Sequence, residues 1–361
     1  MTRWTVEDVA RMRLLSQRLV DPMGSPTEVV RHLTCTQAQD FPGSTMSIAL
    51  RTSGRSLTEV YDAYDAGQVV RSWPMRGTLF AVAAEDLGWM LDVMGEPTLR
   101  STQRRRLELG LPDEVIQRSE QVARESIPAE GLSRSELLEA WTRAGVPVDG
   151  GRGYHQIAHL ALSQVICLGP TRRTEGRAVE QLFVLSEDWL PATDRLTREE
   201  AVARWFTRYV LGHGPVSEAD FMWWSKLLRR DLSPVVADPP APLTSIEVEG
   251  TRHWVDPEVL DTYGSRKRAT AAPLLLPGFD EVVLGYGDRS PVMTDEQERV
   301  HVVPGKNGVF RPTVVQAGRA LGTWTRPKGK ATTVDVVVFD EDGLPGPVER
   351  ALPRLTQGLP R

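Results

Sequence analysis

Two glutamines, Gln37 and Gln39, are the first residues whose type and spacing could support a reaction. They lie in the segment TCTQAQDFP, residues 34–42. Amide side chains do not titrate near neutral pH, so they could hold a water molecule and direct their carbonyl dipoles but could not act as strong bases. Residues at i and i+2 do not share a helix face, so the two amides converge only on an extended or irregular backbone, which Phe41 and Pro42 favour. The alternative is a pair of solvated polar residues at a helix end.

Two arginines in the segment RSWPMRGTLF, residues 71–80, could bind phosphate groups. Arg71 and Arg76 lie in an extended stretch that contains an Arg-Gly turn. A guanidinium group suits bidentate contact with phosphate oxygens. A solvated wing without a ligand is the alternative.

Two more groups of polar residues are candidates for nucleic-acid contact. Arg104 and Arg105 begin a run of three arginines, which could touch backbone phosphate or simply form a solvated helix face. Lys306 and Asn307 lie in VPGKNGV, which predicts a hairpin tip between two apolar strands. Side chains at such a tip could enter a groove of a duplex, although a plain solvated turn is the alternative.

Composition excludes several classes of protein. The chain has 361 residues and a net charge of −5, and arginine supplies 38 of its 43 basic residues. There is no apolar run long enough to cross a membrane and no secretion signal pattern. Two cysteines and six scattered histidines form no metal-ligand spacing, and no phosphate-binding glycine loop is present. We therefore expect a cytoplasmic protein of two or three domains without a metal or organic cofactor.

A repeated pattern predicts the elements that position these residues. Serine capping boxes occur at Ser25, Ser133 and Ser217, each followed three residues later by an acidic residue. Gly131 and Gly214 precede the last two boxes. Each box leads through a second helix to a stretch that reads as a hairpin or extended segment. After the third box, alternation on both sides of Glu249 and Gly250 predicts a tight hairpin. Three tandem winged-helix units would produce this order, whereas three unrelated α+β segments are the alternative.

The predicted fold is therefore α+β, with three winged-helix units around a channel and a small β-rich C-terminal region. The predicted segments are 1–95 for the first winged helix with the two glutamines, 96–190 for linker helices and the second winged helix, 191–272 for the third, and 273–361 for the β-rich region. The β stretches predicted in the last segment are 274–276, 281–284, 301–303, 309–316, 321–324 and 334–339.

Several of these segments together resemble a known family. TQAQD, then RSWPMRGTLF and AEDLGWML, and later LLLPGFDEVVLGYGDRSPVM and GRALGTW, are similar to motifs of the winged-helix DNA glycosylases of the AlkZ/YcaQ type. Gln39, where the YcaQ branch has an aspartate, makes the chain more similar to the AlkZ branch. The resemblance implies three winged helices around a DNA-binding channel and cleavage of the bond between deoxyribose and an alkylated base.

The resemblance also implies a substrate and a site. Gln37 and Gln39 take the catalytic positions, and the substrate is double-stranded DNA that carries alkylated guanine or interstrand crosslinks through guanine N7. For the AlkZ branch the implied role is self-resistance to a DNA-alkylating antibiotic such as azinomycin. Guanine alkylated at N7 is already cationic, so it leaves without a protonating acid, and we expect two neutral amides in a wide cleft with few aromatic walls to suffice.

Other functions remain open at this point. A non-catalytic winged-helix transcriptional regulator would bind one DNA sequence and change nothing covalent, and a drug-sequestering resistance protein would bind the free small molecule without turnover. We expect a monomeric, monofunctional hydrolase, since no lysine lies near Gln37 in the sequence.

Overall fold

The computed structural model describes residues 3–192, 195–305, 308–326 and 332–361. The chain divides into two compact units. One unit combines the residues up to Val60 with Val202–Arg361, and the other is Tyr61–Ala201. Both contain helices and small antiparallel sheets, so the described chain is a mixed α and β protein with a β-rich C-terminal region.

The helices of the described residues, in chain order, are α1 (Val6–Ser16), α2 (Pro26–Leu33), α3 (Phe41–Leu50), α4 (Leu57–Asp65), α5 (Ala84–Glu108), α6 (Asp113–Ser126), α7 (Arg134–Arg143), α8 (Arg152–Leu162), α9 (Ser186–Trp189), α10 (Arg198–His213), α11 (Glu218–Ser225), α12 (Arg229–Ala237), α13 (Pro257–Arg266), α14 (Glu281–Leu284), α15 (Asp295–Gln297) and α16 (Gly346–Gln357). The strands are β1 (Cys35–Gln37), β2 (Val69–Met75), β3 (Thr78–Ala83), β4 (Ile166–Arg172), β5 (Glu180–Leu185), β6 (Thr244–Val248), β7 (Thr251–Val255), β8 (Pro273–Leu276), β9 (Thr313–Gln316), β10 (Arg319–Thr325) and β11 (Asp335–Val338).

The predicted capping boxes are confirmed at all three serines. The hydroxyl groups of Ser25, Ser133 and Ser217 accept a backbone N–H from the third residue of α2, α7 and α11, and the acidic side chain at that position bonds back to the cap. Such reciprocal bonds satisfy N–H groups that a helix start leaves without partners. Thr5 and Asp8 form a fourth box, which begins α1.

The Tyr61–Ala201 unit is built on antiparallel strands in the order β3-β2-β4-β5. Helices α5 and α8 pack against β2. Trp89 and Trp141 are fully buried, and the indole N–H of Trp141 donates to the carbonyl of Ser119 at 2.9 Å. Burial of two tryptophans gives this unit a substantial apolar core of its own.

Two parts of the chain repeat one geometry. Leu132 exchanges a pair of backbone hydrogen bonds with Phe183 of β5, and Val216 does the same with Trp254 of β7. Each of these residues directly precedes a capping-box serine. Gly131 and Gly214, the glycines that precede these two boxes, each lie where a hairpin strand approaches the backbone. A Cβ on Gly131 would lie 2.9 Å from the carbonyl oxygen of Phe183, and one on Gly214 would lie 3.2 Å from Cα of Val255.

The predicted hairpin around Glu249 and Gly250 is confirmed. Strands β6 and β7 pair from Thr244 with Val255 to Val248 with Thr251. Glu249 and Gly250 have φ values of 50° and 79°, as a two-residue turn with left-handed backbone requires. Val255 packs with Val9 of α1 in an apolar cluster of the unit that contains Val202–Arg361.

The C-terminal region contains a four-stranded sheet in the order β11-β10-β9-β8. Its apolar face shares a core with Leu14 of α1, Met46 of α3 and Leu352 of α16. Strands predicted at 274–276, 309–316, 321–324 and 334–339 contain or overlap β8, β9, β10 and β11. Helix α16 was not predicted.

Two of the predicted β stretches are wrong. Residues 281–284 form α14, because the side chain of Asp280 accepts the backbone N–H of Val282 and so caps a helical turn. Residues 301 and 302 lie in a π-helical turn over Glu298–Val302, which continues a helix that starts with a capping box at Thr294. The proposed hairpin tip near residue 306 is therefore preceded by a helical turn and not by a strand.

Candidate active site

Gln37 and Gln39 lie on an extended piece of backbone between two helices. Thr34 has a φ of 70° and ends α2, after which β1 covers Cys35–Gln37. Gln37 retains only 9% of its accessible surface, whereas Gln39 is exposed. The extended backbone that convergence of the two amides requires is present, and the pair is not enclosed in the interior, because Gln39 reaches the surface.

The side chain of Gln37 is directed along its own loop. Its carbonyl oxygen Oε1 accepts the backbone N–H of Gln39 at 3.2 Å. An amide oxygen has two lone pairs, so this bond leaves one acceptor position of Gln37 for another partner. The two residues of the motif are therefore coupled to each other through a side chain and a backbone group.

A buried carboxyl group holds the backbone of this strand. Glu281 of α14 is 1% exposed, and its Oε1 accepts the backbone N–H of Gln37 at 2.7 Å. Its Oε2 accepts the indole N–H of Trp224 at 3.2 Å and lies 3.3 Å from Nε2 of His213. Buried carboxyl groups are costly unless hydrogen-bonded, and here both oxygens have partners.

The neighbouring acid, Asp280, is fixed by an arginine. Its two oxygens accept from Nη1 and Nη2 of Arg51 at 2.8 and 2.9 Å, and Oδ2 accepts the hydroxyl of Ser47 at 2.6 Å. Arg51 also donates to the side-chain oxygen of Gln17 at 2.6 Å. Burial alone would raise the pKa of Asp280, but Arg51 and the hydrogen bonds hold that pKa below its ordinary value of 3.8.

A third polar residue of the motif, Asp40, is exposed at the start of α3 and makes no cap bond with its side chain. A Cβ on Gly43 would lie 2.6 Å from Oδ2 of Asp40 and 3.2 Å from the carbonyl oxygen of Gly278. Glycine at position 43 therefore allows the first turn of α3 to approach both Asp40 and the loop that precedes Asp280.

Sequence reasoning missed the roles of Asp280 and Glu281. Their signal was present, because two adjacent acids stand inside the apolar segment LLLPGFDEVVL. Acids in such surroundings are buried only when partners satisfy them, but the partners lie far away in the sequence. Neighbouring residues alone could not show that the backbone N–H of Gln37 is a partner of Glu281.

The arginines predicted to contact phosphate differ from one another in burial and in their partners. Arg71 is half-buried in β2 and donates to Oε1 of Gln181 at 2.8 Å. Arg76 occupies the β2–β3 turn with a φ of 60°. Arg104 and Arg105 are exposed near the end of α5 and pair with Glu108. Their contact with nucleic acid stays a prediction.

Three more residues belong to the arginine run or to the predicted hairpin tip. Arg106, the last arginine of the run, is 7% exposed and donates to the carbonyl of Leu111 and to Asp113, so it is part of the unit's interior. Lys306 and Asn307 lie outside the described residues.

Within residues 3–192, 195–305, 308–326 and 332–361, we find no group of three or more His, Cys, Asp or Glu side chains that could hold a metal ion. In the same ranges, none of the helices has the length and apolar character that crossing a membrane requires.

Comparisons with known proteins agree with one another. The family described as "DNA glycosylase AlkZ-like" matches residues 30–356. The interstrand DNA cross-link repair glycosylase of Streptomyces sahachiroi is 25% identical over 325 residues, which cover 86% of this chain and 85% of that protein. The solved structure of the Streptomyces sahachiroi DNA glycosylase AlkZ superimposes with a TM-score of 0.76 at 23% identity, covering 100% of this chain and 98% of that chain. This last likeness shows a common fold.

Proposed function

The chain belongs to the AlkZ-like DNA glycosylase family, and from this premise we propose that it hydrolyses the N-glycosidic bond of N7-alkylated guanine in double-stranded DNA. We further propose that it unhooks interstrand crosslinks made through that nitrogen. The Streptomyces relative is named an interstrand DNA cross-link repair glycosylase, which supports this part of the proposal. Self-resistance to a DNA-alkylating antibiotic such as azinomycin is the proposed biological role. Membership in a glycosylase family favours an enzyme over the transcriptional regulator and the drug-sequestering protein.

The observation that carries this proposal is the arrangement of Gln37 and Gln39. Gln39 is exposed, Gln37 is nearly buried with its backbone N–H held by Glu281, and a hydrogen bond from the Gln39 backbone couples the two. A nearly buried amide beside an exposed one provides a preorganised pair of dipoles that reaches the surface through Gln39.

The chemistry of the leaving group makes these amides sufficient. Guanine alkylated at N7 carries a positive charge, so the bond to the sugar breaks without a general acid. The deoxyribose then develops oxocarbenium character, and the free acceptor position of Gln37 and the amide oxygen of Gln39 would orient the attacking water and face that charge. No metal or organic cofactor is needed in this mechanism, and an uncharged base should leave slowly.

We also propose that the chain contains three tandem winged helices, with the segment bounds 1–95, 96–190 and 191–272, followed by the β-rich region. The repeated bridges from Leu132 and Val216 to the hairpins support the second and third units. Arg71, Arg76, Arg104, Arg105, Lys306 and Asn307 are the proposed DNA contacts of a monomeric enzyme in the cytoplasm.

Release of 7-methylguanine from a duplex, and separation of the strands of a crosslinked duplex on a denaturing gel, test the proposal. We expect Gln37→Ala and Gln39→Ala each to slow both reactions by about 10- to 100-fold, because each removes an amide that the proposed mechanism uses to orient the water and face the developing charge. Gln121→Ala, on the exposed face of α6, is the matched control and should react at the wild-type rate. Wild-type rates in both site variants would remove these residues from the mechanism.

A further inference from the structure

The carboxyl group of Glu281 connects the candidate site to the interior of its unit. It is 1% exposed and contacts a backbone N–H, an indole and an imidazole, which belong to Gln37, Trp224 and His213. We propose that Glu281 is a positioning residue of the glycosylase reaction, which holds the backbone of Gln37 and, through the side chain of Gln37, the loop that carries Gln39. This inference rests on the function proposed above.

The hydrogen bonds form a series that leads from the interior to the surface. Oε1 of Glu281 accepts the N–H of Gln37 at 2.7 Å, and Oε1 of Gln37 accepts the N–H of Gln39 at 3.2 Å. Strand β1 has only three residues, and Thr34, whose φ is positive at 70°, precedes it. So short a segment has little local structure of its own, and the bond from Glu281 fixes the backbone N–H of Gln37.

Glu281 is itself held tightly, as a positioning group must be. A Cβ on Gly285 would lie 2.6 Å from the Glu281 carbonyl oxygen and 2.7 Å from Cδ2 of His213, so the turn after α14 is packed without spare room. The ring of Tyr209 stacks on His213 with centroids 4.7 Å apart. Groups that orient other groups act through such rigid surroundings, and a displacement of about 1 Å can cost about 100-fold in rate.

Single-turnover release of 7-methylguanine from a duplex, with enzyme in excess, tests the proposal. Glu281→Gln preserves size and one acceptor for the N–H of Gln37 but replaces the other oxygen with a donor that faces the indole N–H of Trp224. We expect the rate to fall about tenfold, and about 100-fold in Glu281→Ala, while the Kd for the same duplex stays within about twofold. Trp224→Phe, which leaves the bond to Gln37 intact, should cost about threefold.

A matched control separates positioning from general damage to the fold. Asp86 of α5 is also 1% exposed, and its carboxyl also accepts an indole N–H, from Trp89 at 2.9 Å. Asp86→Asn therefore changes a comparable buried carboxyl group in another place. If it slows the reaction as much as Glu281→Gln does, after correction for the folded fraction, the positioning role is overturned.

A double-mutant cycle gives the most direct test, since Glu281 acts through Gln37. The rate ratio of tenfold that Glu281→Gln produces in the wild type should shrink to less than about threefold in the Gln37→Ala background. An unchanged ratio would overturn the proposal. Failure of the two ideas is distinguishable: wild-type rates in Gln37→Ala would contradict the proposed function, whereas an impaired Gln37→Ala with a wild-type Glu281→Gln would contradict only the positioning role.

Discussion

Charged side chains are used in opposite ways in two regions of the molecule. Around β1, Arg51, Asp280 and Glu281 are at most 1% exposed, and the contacts between Arg51 and Asp280 are direct and bidentate. At the end of α5, Arg104 and Arg105 are 92% and 61% exposed and share Glu108 at 3.0 and 3.4 Å. The first set is removed from water, and the second set is surrounded by it.

The comparison shows which charges hold structure and which remain available to a ligand. Removing one member of a buried pair leaves the other desolvated and unpaired, so the fold depends on each of them. Exposed pairs on a helix contribute little, because water and salt screen them. An exposed guanidinium can exchange a glutamate for a phosphate at low cost. Three predictions test this contrast, beginning with the largest effect.

Asp280→Ala should reduce the free energy of unfolding by about 3–5 kcal/mol, because it leaves the guanidinium of Arg51 buried without its carboxylate. Urea denaturation followed by tryptophan fluorescence measures the change. Asp280→Asn keeps a hydrogen-bond acceptor and should cost less. A loss below about 1 kcal/mol for the alanine variant would mean that this pair does not stabilise the region around β1.

Glu136 is intermediate between the buried and the exposed charged groups, because it is partly exposed and belongs to a capping box. Hydrogen bonds from Arg172, which have the largest effect, and from Ser133 lower the pKa of the Glu136 carboxyl group from 4.5 to about 2. A lowered pKa means that this contribution to stability is present above about pH 4.5 and is lost as the pH falls toward 2.

Glu136→Gln should therefore flatten the pH dependence of stability between pH 4.5 and 2. Near neutral pH it should cost about 0.5–1 kcal/mol, a small effect because solvent screens the exposed group. Thermal unfolding across this pH range measures it. Glu139→Gln, on the exposed face of the same helix, is the control, and an identical pH profile in both variants would contradict the prediction.

Arg104→Ala should have the smallest effect on the fold, within about 0.5 kcal/mol. If Arg104 contacts a phosphate, the variant should bind duplex DNA more weakly whatever the sequence, and the slope of log K against log salt should become shallower by about 1. Arg100→Ala removes an exposed arginine of the same helix and is the control. A salt slope equal to that of the wild type would exclude the proposed contact.

Local patterns were predictable from the sequence where the interacting groups are close along the chain. The boxes at Ser25, Ser133 and Ser217 join residues three positions apart, and the turn at Glu249 and Gly250 involves only its own two residues. Neighbouring residues determine such structures almost regardless of the rest of the fold.

The segments at 281–284 and 301–303 show where that reasoning failed. A short apolar run is compatible with a strand or a buried helix, and periodicity cannot decide between them. Asp280 as a cap decided the first case, and the capping box at Thr294 decided the second. The second signal, a threonine three residues before a glutamine, was readable in the sequence.

The sequence by itself determined the family motifs, the identity of the two glutamines as candidates, the helix starts at Ser25, Ser133 and Ser217, and the hairpin turn at Glu249 and Gly250. Only the tertiary structure decided that Gln37 is anchored, that Gln39 is exposed, and that Glu281 holds the strand. The bond between Gln37 and Glu281 joins residues 244 positions apart. Such a contact depends on burial, because a carboxyl group taken out of water must find donors wherever the folded chain brings them.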